Sequence, residues 1–400
     1  MSLLAVKRPS RPSPPVDARV PELALLSDGS LGEVLGRLLA TNAVVPAPPR
    51  VTYLEYSQGA RLVLQVSVEI DGLTRSAVVR AGKAVTHSVR STGTRLPGTG
   101  AWVHWFPADP QLPLLGASST QLRGLVCDAR GAEGARPVDG SARVMAYVPG
   151  RRATIALSPY VLKTYGSPAA FRAARGAMAL LGDAHELPTP RGIRSLPGWL
   201  TTVQQQVSGT PAGLEDALPL AATAGRLLHR LHASDRLAAA RRDPSSQLHL
   251  ARTAVDVLAA VLPDQRDRAT ALLARLARTA PTGLPLVLSH GDFTIDQLLV
   301  AGDGSVVVTD VDNACQAPAA LDVAAFAANL VSGRDGDAEH AEAVLAALAD
   351  SHGWPPALRW HFAVAVLRRC DRPFRRWKKG WPEKSEAILD LVEKVTASRS

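Results

Sequence analysis

The feature that most limits how this chain can fold is a change of apolar period partway along it. Around VTYLEYSQGARLVLQV (Val51 to Val66), and again through RVMAY, RRATIAL and YVLKTY, apolar residues alternate as in half-buried strands, whereas from Leu214 onward they recur at helical spacing. The helical half is broken once, by LPLVLSHGDFTIDQLLVAGDGSVVVTDVDNA, which reads as two short strands joined by loops. An antiparallel sheet followed by helices is an α+β arrangement. It leaves Asp292, Gln297 and Asp310 at loop and strand ends of the interruption, where packing gives little reason for polar side chains.

The sheet-forming pattern occurs twice. Two strands around a turn at Gln58-Gly59, a third over Ser76 to Arg80 and then Lys83 form one copy, and two strands around Pro149-Gly150 with a third carrying Lys163 form the other, a candidate internal duplication. Between the copies, residues 84–140 are rich in Gly, Pro and Ser, with an aromatic island at Trp102, Trp105 and Phe106, and read as loops laid over the sheet. After Lys163, Ser167-Pro168 is a helix start, Phe171, Ala174, Met178 and Leu181 share one helical face, and Gly182 is the stop.

With 400 residues and 46% apolar composition, two or three packed units are expected. Cys127, Cys315 and Cys370 are far apart and lack metal-ligand spacing, which argues against a disulfide framework and a structural zinc site and points to a cytoplasmic protein. The first 20 residues, rich in Pro, Ser and Arg, read as a disordered arm with neither a leader peptide nor the roughly 20 apolar residues of a membrane span. A formal charge of +9 favours an anionic partner without choosing among nucleotide, nucleic acid, lipid and acidic peptide.

His290-Gly291-Asp292-Phe293, with Gln297 five residues after Asp292 and Asp310 on the next strand, resembles the catalytic and metal-binding loops of the aminoglycoside phosphotransferase and choline kinase group. The resemblance covers roughly residues 141 to 395 and takes in Asp322 in APAALDVAAF, the helix ending LLHRLHA, the hinge-like QQVSG and WPEKSEAILDLVEK. It implies a two-lobed protein-kinase-like fold: a sheet lobe over 141–207, a helical lobe over 208–400, and an additional β-rich region over 21–140. It also implies transfer of the γ-phosphoryl group of ATP, with Mg2+, to an alcohol. Asp292 is then the base at the attacking hydroxyl, Asp310 and Gln297 are metal ligands, and Asp322 braces the loop, with Asp312 left open. Lys163 and Arg152 face the phosphates under a flap containing Gly150, and backbone groups of Gln205 and Val207 meet the adenine. His290 is read as scaffold.

Two residues depart from that pattern. Gln297 stands where the group has a metal-binding asparagine, and the helix after Lys163 holds Arg172 and Arg175 but no glutamate to pair with the lysine, leaving Glu186 or a carboxylate of the first sheet as substitutes. These departures keep a pseudokinase partner protein among the readings.

The acceptor expected first is a small metabolite: a sugar, a nucleoside or an antibiotic-like alcohol, although a polycationic drug suits a basic chain poorly. Second is a Ser/Thr hydroxyl of an acidic biosynthetic precursor peptide. Asp296 and the run RRCDRPFRRWKKGW, with Arg375, Arg376 and Lys378 beside Phe374, Trp377 and Trp381, are the candidate acceptor residues. Nucleic acid ranks third, because the run has bases and rings but no recognition module. The N-terminal region is a candidate docking surface for a partner protein, and no membrane is expected.

Overall fold

The computed structural model describes residues 14–27, 30–39, 49–70, 72–127, 138, 140–181, 187–331 and 338–397. The chain forms two compact units: Met1–Phe106 with Thr253–Ala271 and Arg369–Asp390, and Pro107–Arg252 with Leu272–Arg368 and Leu391–Ser400.

The first unit is built on strands β1 (Arg50–Ser57), β2 (Arg61–Ile70), β3 (Leu73–Gly82), β4 (Thr94–Arg95) and β5 (Trp102–Trp105), with helices α1 (Ser30–Leu39) and α2 (His87–Thr92). The strand order is β1-β2-β3-β5-β4. Alternation along β2 sends Leu62, Leu64, Val66 and Val68 into a core shared with Leu23, Leu31, Leu35, Val257, Val261, Phe374 and Trp381. The aromatic island read as loop is strand β5, with Ala77 to Arg80 opposite Trp105 to Trp102. Its flanking Gly and Pro misled the reading, because strand pairing satisfies WVHW whatever flanks it. Residues 1–13 of the expected arm lie outside the described residues, whereas Asp17 bonds to Tyr56 and Gly59 and Val20 is fully buried.

The second unit opens with helix α3 (Ser119–Cys127) and strands β6 (Arg143–Val148), β7 (Arg152–Leu157), β8 (Tyr160–Tyr165), β9 (Gly192–Leu196) and β10 (Thr201–Gln205). Their order, β6-β7-β8-β10-β9, repeats that of the first sheet. The repetition extends to register: Arg80 lies opposite Val63 and Trp102, as Lys163 lies opposite Thr154 and Thr202. The duplication expected from the sequence is therefore present in backbone pairing, with Arg80 at the place of Lys163. Helix α4 (Pro168–Leu181) follows β8, with Ser167 Oγ accepting the Ala170 N–H and with Phe171, Ala174 and Leu181 buried. Its expected stop, Gly182, lies outside the described residues.

The helical part comprises α5 (Ala217–His232), α6 (Pro244–Val261), α7 (Arg266–Arg278), α8 (Ala320–Val331), α9 (Ala338–His352), α10 (Leu358–Leu367), α11 (Arg372–Arg375) and α12 (Trp381–Ala397). The interruption holds three short strands where two were expected: Leu298–Val300 pairs with Val306–Val308, and Val287–Ser289 pairs with Cys315–Ala317, a fourth strand immediately after it. No described helix is long and apolar enough to cross a membrane.

Candidate active site

The second unit gathers its charged residues where β7 and β8 meet the turn after Val308. Lys163, on a strand whose six residues are all buried, donates from Nζ to Asp310 Oδ1 at 2.9 Å and to Asp312 Oδ1 at 3.0 Å. Arg152 Nη1 reaches both Asp310 oxygens at 3.1 and 3.0 Å, and the Tyr165 hydroxyl donates to Asp312 Oδ2 at 2.9 Å. Asp310 itself takes a left-handed backbone conformation, φ 59°, ψ 42°, which a non-glycine residue holds at a cost of about 1–3 kcal/mol and which is concentrated at functional sites.

Protonation follows from this crowding. Burial alone would raise the Asp310 carboxyl, but Lys163 and Arg152, with His290 adding less, outweigh it and hold the group well below the usual carboxylate range. Burial would likewise lower Lys163, and Asp312 and Asp310 reverse the shift, so the ammonium is kept charged. Tyr165 is pushed far up, first by burial and then by Asp312, and stays a donor. The lysine partners that the sequence left open are thus Asp310 and Asp312; Glu186 lies outside the described residues.

Asp292 follows a loop held by its backbone. Asp322, fully buried, accepts the His290 N–H at 2.7 Å and the Gly291 N–H at 2.8 Å, one on each oxygen. Gly291 has φ 83°, and a Cβ there would lie 2.2 Å from the Asn313 carbonyl oxygen, so no side chain fits. Arg242 binds the Gly291 carbonyl oxygen and reaches Asn313 Oδ1 at 2.9 Å, tying the loop to the turn that carries Asp310 and Asp312. Asp292 is half-buried, and its charge acts on Arg152. His290 Nε2 lies 3.0 Å from the Thr309 carbonyl oxygen, a scaffold contact as read from the sequence. A chain of histidines stands behind Asp322: His232 Nε2 is 3.3 Å from Asp322 Oδ2, and His232 Nδ1 is 2.7 Å from His352 Nε2.

Gln297 is adjacent to Asp310 through its backbone, whose carbonyl oxygen accepts the Thr309 N–H at 2.8 Å. Its side-chain Oε1 instead accepts the Thr294 N–H at 3.1 Å, capping the short helical turn Ile295–Gln297. Among the described residues no three His, Cys, Asp or Glu side chains cluster as a metal site. The Gly150 N–H donates to Asp109 Oδ2 at 2.8 Å, and the Gln205 N–H to the Arg191 carbonyl oxygen at 2.8 Å. Val207 is half-buried just beyond β10.

Asp296 is exposed, with Oδ1 3.5 Å from Asn329 Nδ2. Arg375, Arg376 and Lys378 belong to the first unit, where Arg375 is ion-paired to Asp371. The rings beside them are core residues: Phe374 packs edge-on against Tyr56, Trp377 and Trp381 at centroid distances of 6.2, 5.9 and 5.1 Å. The fully buried Phe374 ring presents no face for a base to stack on.

Arg242, Tyr165, His232 and His352 were not singled out from the sequence. His232 lies within LLHRLHA, the only local signal among them; the others become visible only when distant segments meet.

The model of a family described as "Phosphotransferase enzyme family" matches residues 141–361. A glucosamine kinase from Streptacidiphilus jiangxiensis is 32% identical over 208 residues, which are 41% of this chain and 46% of that kinase; the chain thus spans about half the length of its relative. Among solved structures, a choline kinase from Cryptosporidium parvum superposes with a TM-score of 0.53 at 9% identity, covering 70% of this chain and 95% of that one. An aminoglycoside phosphotransferase from Streptomyces rimosus, 20% identical, has a TM-score of 0.45 and covers 68% of this chain and 97% of that one. The fold is protein-kinase-like, as the sequence led us to expect.

Proposed function

The chain belongs to the phosphotransferase enzyme family and is a kinase-type enzyme, and from that premise we propose that it moves the γ-phosphoryl group of ATP to a hydroxyl of a sugar-like small metabolite. The observation that carries this reading is the convergence of Lys163 and Arg152 on Asp310, beside the Asp292 loop. Phosphoryl transfer needs little covalent chemistry from a protein, only positioning and charge. Two cations within reach of one carboxylate supply the charge, and a half-buried carboxylate on a clamped loop supplies a place for the acceptor proton.

In this reading Asp292 orients the acceptor hydroxyl and accepts its proton, while Lys163 and Arg152 exchange part of their contact with Asp310 for phosphate oxygens. Asp310 and Asp312 are the hard oxygen donors that suit Mg2+, and the strained backbone of Asp310 aims its carboxylate. Gln297 joins them only by releasing the Thr294 N–H, so Asp310 carries most of the metal affinity. Bound Mg2+ would offset charge on the phosphates. The adenine edge falls to backbone at Val207, since the Gln205 N–H is already engaged.

A sugar or amino sugar leads among acceptors, in keeping with the glucosamine kinase relative. A cytoplasmic setting, with Cys315 and Cys370 as buried thiols, is part of the reading. The test is an ATP-consumption screen over sugars, amino sugars, nucleosides and acidic Ser/Thr peptides, with the products weighed by mass spectrometry. One added phosphoryl group on a sugar is expected; phosphorylation confined to peptides, or ATP binding with no product at all, would contradict the reading.

A further inference from the structure

We propose that Asp109, which lies outside the part of the chain matched by the family, is a positioning residue for the nucleotide: it latches the turn Val148–Arg152 and thereby sets Arg152 on the active site. The inference rests on the functional reading above, in which Arg152 meets phosphate oxygens.

Asp109 is only 5% exposed. Its Oδ2 accepts the Tyr147 hydroxyl at 2.7 Å and the Gly150 N–H at 2.8 Å, and its Oδ1 accepts the Gln111 N–H at 3.0 Å. A buried carboxylate is costly unless several donors converge on it, and here Gly150 reaches it from the turn, Tyr147 from the strand that leads into the turn, and Gln111 from its own loop. Gly150 has φ 67°, so the turn depends on a residue free to adopt it. Arg152 stands two residues further on, at the start of β7.

The first unit contains the same device. Asp17 accepts the Tyr56 hydroxyl at 2.8 Å, the Gly59 N–H at 2.6 Å and the Arg19 N–H at 2.9 Å, and Gly59 has φ 62°. Each aspartate is followed by the same local path: the Val20 N–H returns to the Asp17 carbonyl oxygen and the Leu112 N–H to that of Asp109, and a proline then begins a short helical turn. The latch is therefore a part of the repeated sheet and not an accident of one loop. What differs is the arginine two residues after the glycine. Arg61 pairs with Glu55 on its own sheet, whereas Arg152 pairs with Asp310. The second latch thus fixes a cation that serves the site, and because it occupies the Gly150 N–H, the turn meets phosphate through Arg152.

The test is calorimetric titration of the full chain with ATP and Mg2+, together with thermal melting, for Asp109→Ala, Asp109→Asn, Tyr147→Phe and Asp17→Ala. Asp109→Ala is expected to weaken ATP roughly tenfold, the scale of one charge-assisted hydrogen bond, with binding stoichiometry retained. Asp109→Asn, which keeps one acceptor oxygen, recovers part of the loss, and Tyr147→Phe weakens ATP about threefold. Asp17→Ala lowers the melting temperature and leaves ATP affinity within about twofold. A purely structural Asp109 would reduce the competent fraction, hence stoichiometry, and leave the dissociation constant alone. Unchanged ATP affinity in Asp109→Ala, or in Tyr147→Phe should the alanine variant not fold, overturns the inference alone. Absence of ATP binding by the unaltered chain overturns the functional reading and this inference together.

Discussion

The two sheets of this protein share strand order, register and an aspartate latch, yet the proposed active site is built on only one of them. At matching positions stand Lys163 and Arg80. Lys163 meets two carboxylates delivered by the turn at Val311–Asn313. Arg80, 1% exposed, has Nη1 3.5 Å from His104 Nδ1 within its own sheet. Each sheet thus holds a cation, and that of the second sheet is met by two acidic side chains from a turn far along the chain. Opposite the cation the second sheet has Thr202 and the first has Trp102.

The comparison breaks most visibly in a pair of matched substitutions. Lys163→Met is expected to lower kcat/KM by at least about a hundredfold, the scale of removing one charge-stabilising group from an active site. Arg80→Met should cost roughly 1–3 kcal/mol of stability, as buried polar substitutions do, with kcat/KM per folded molecule within about twofold. Steady-state kinetics with denaturant titration checks both. An Arg80 variant that folds but loses turnover would mean that the first sheet also acts in catalysis.

A smaller effect sharpens the same contrast through pH. The Asp310 carboxyl is held low in the folded state, so its stabilisation is present above the unfolded value near 4 and is lost as pH falls toward the folded value. Lys163→Met removes the largest opposing charge, so stability should fall less steeply between about pH 4 and pH 2, by on the order of 1 kcal/mol. Arg80→Met should leave that acid limb as it is. Urea unfolding at several pH values measures it, and equal slopes in unaltered protein and Lys163→Met would contradict the charge assignment.

What the sequence disclosed and what it hid follow from how local each signal is. His290-Gly291-Asp292 and Asp310 lie in the loops that follow the short strands Val287–Ser289 and Val306–Val308, so their joint pattern survives in one stretch of chain. Lys163 could be placed because a strand and a capped helix bracket it. Its partners could not, since the expected acid belongs on α4 and the actual ones, Asp310 and Asp312, come from a turn far along the chain. Asp17 and Asp109 are single aspartates in loops, without a local signature. Only laying the copies side by side exposes them, as Asp17 with Tyr56 and Gly59, and Asp109 with Tyr147 and Gly150. In the C-terminal basic run, likewise, the sequence cannot tell a ring that stacks on a ligand from Phe374, which is fully buried in the first unit's core.

In the proposed reaction Asp292 is the base of a phosphoryl transfer whose nucleotide is held by other residues. Its direct measurement is Asp292→Asn, assayed for product by mass spectrometry on the acceptor found by screening and for ATP affinity by calorimetry. Turnover lower by at least about a hundredfold with ATP affinity within about twofold is the predicted result. Unaltered turnover in the asparagine variant would contradict it.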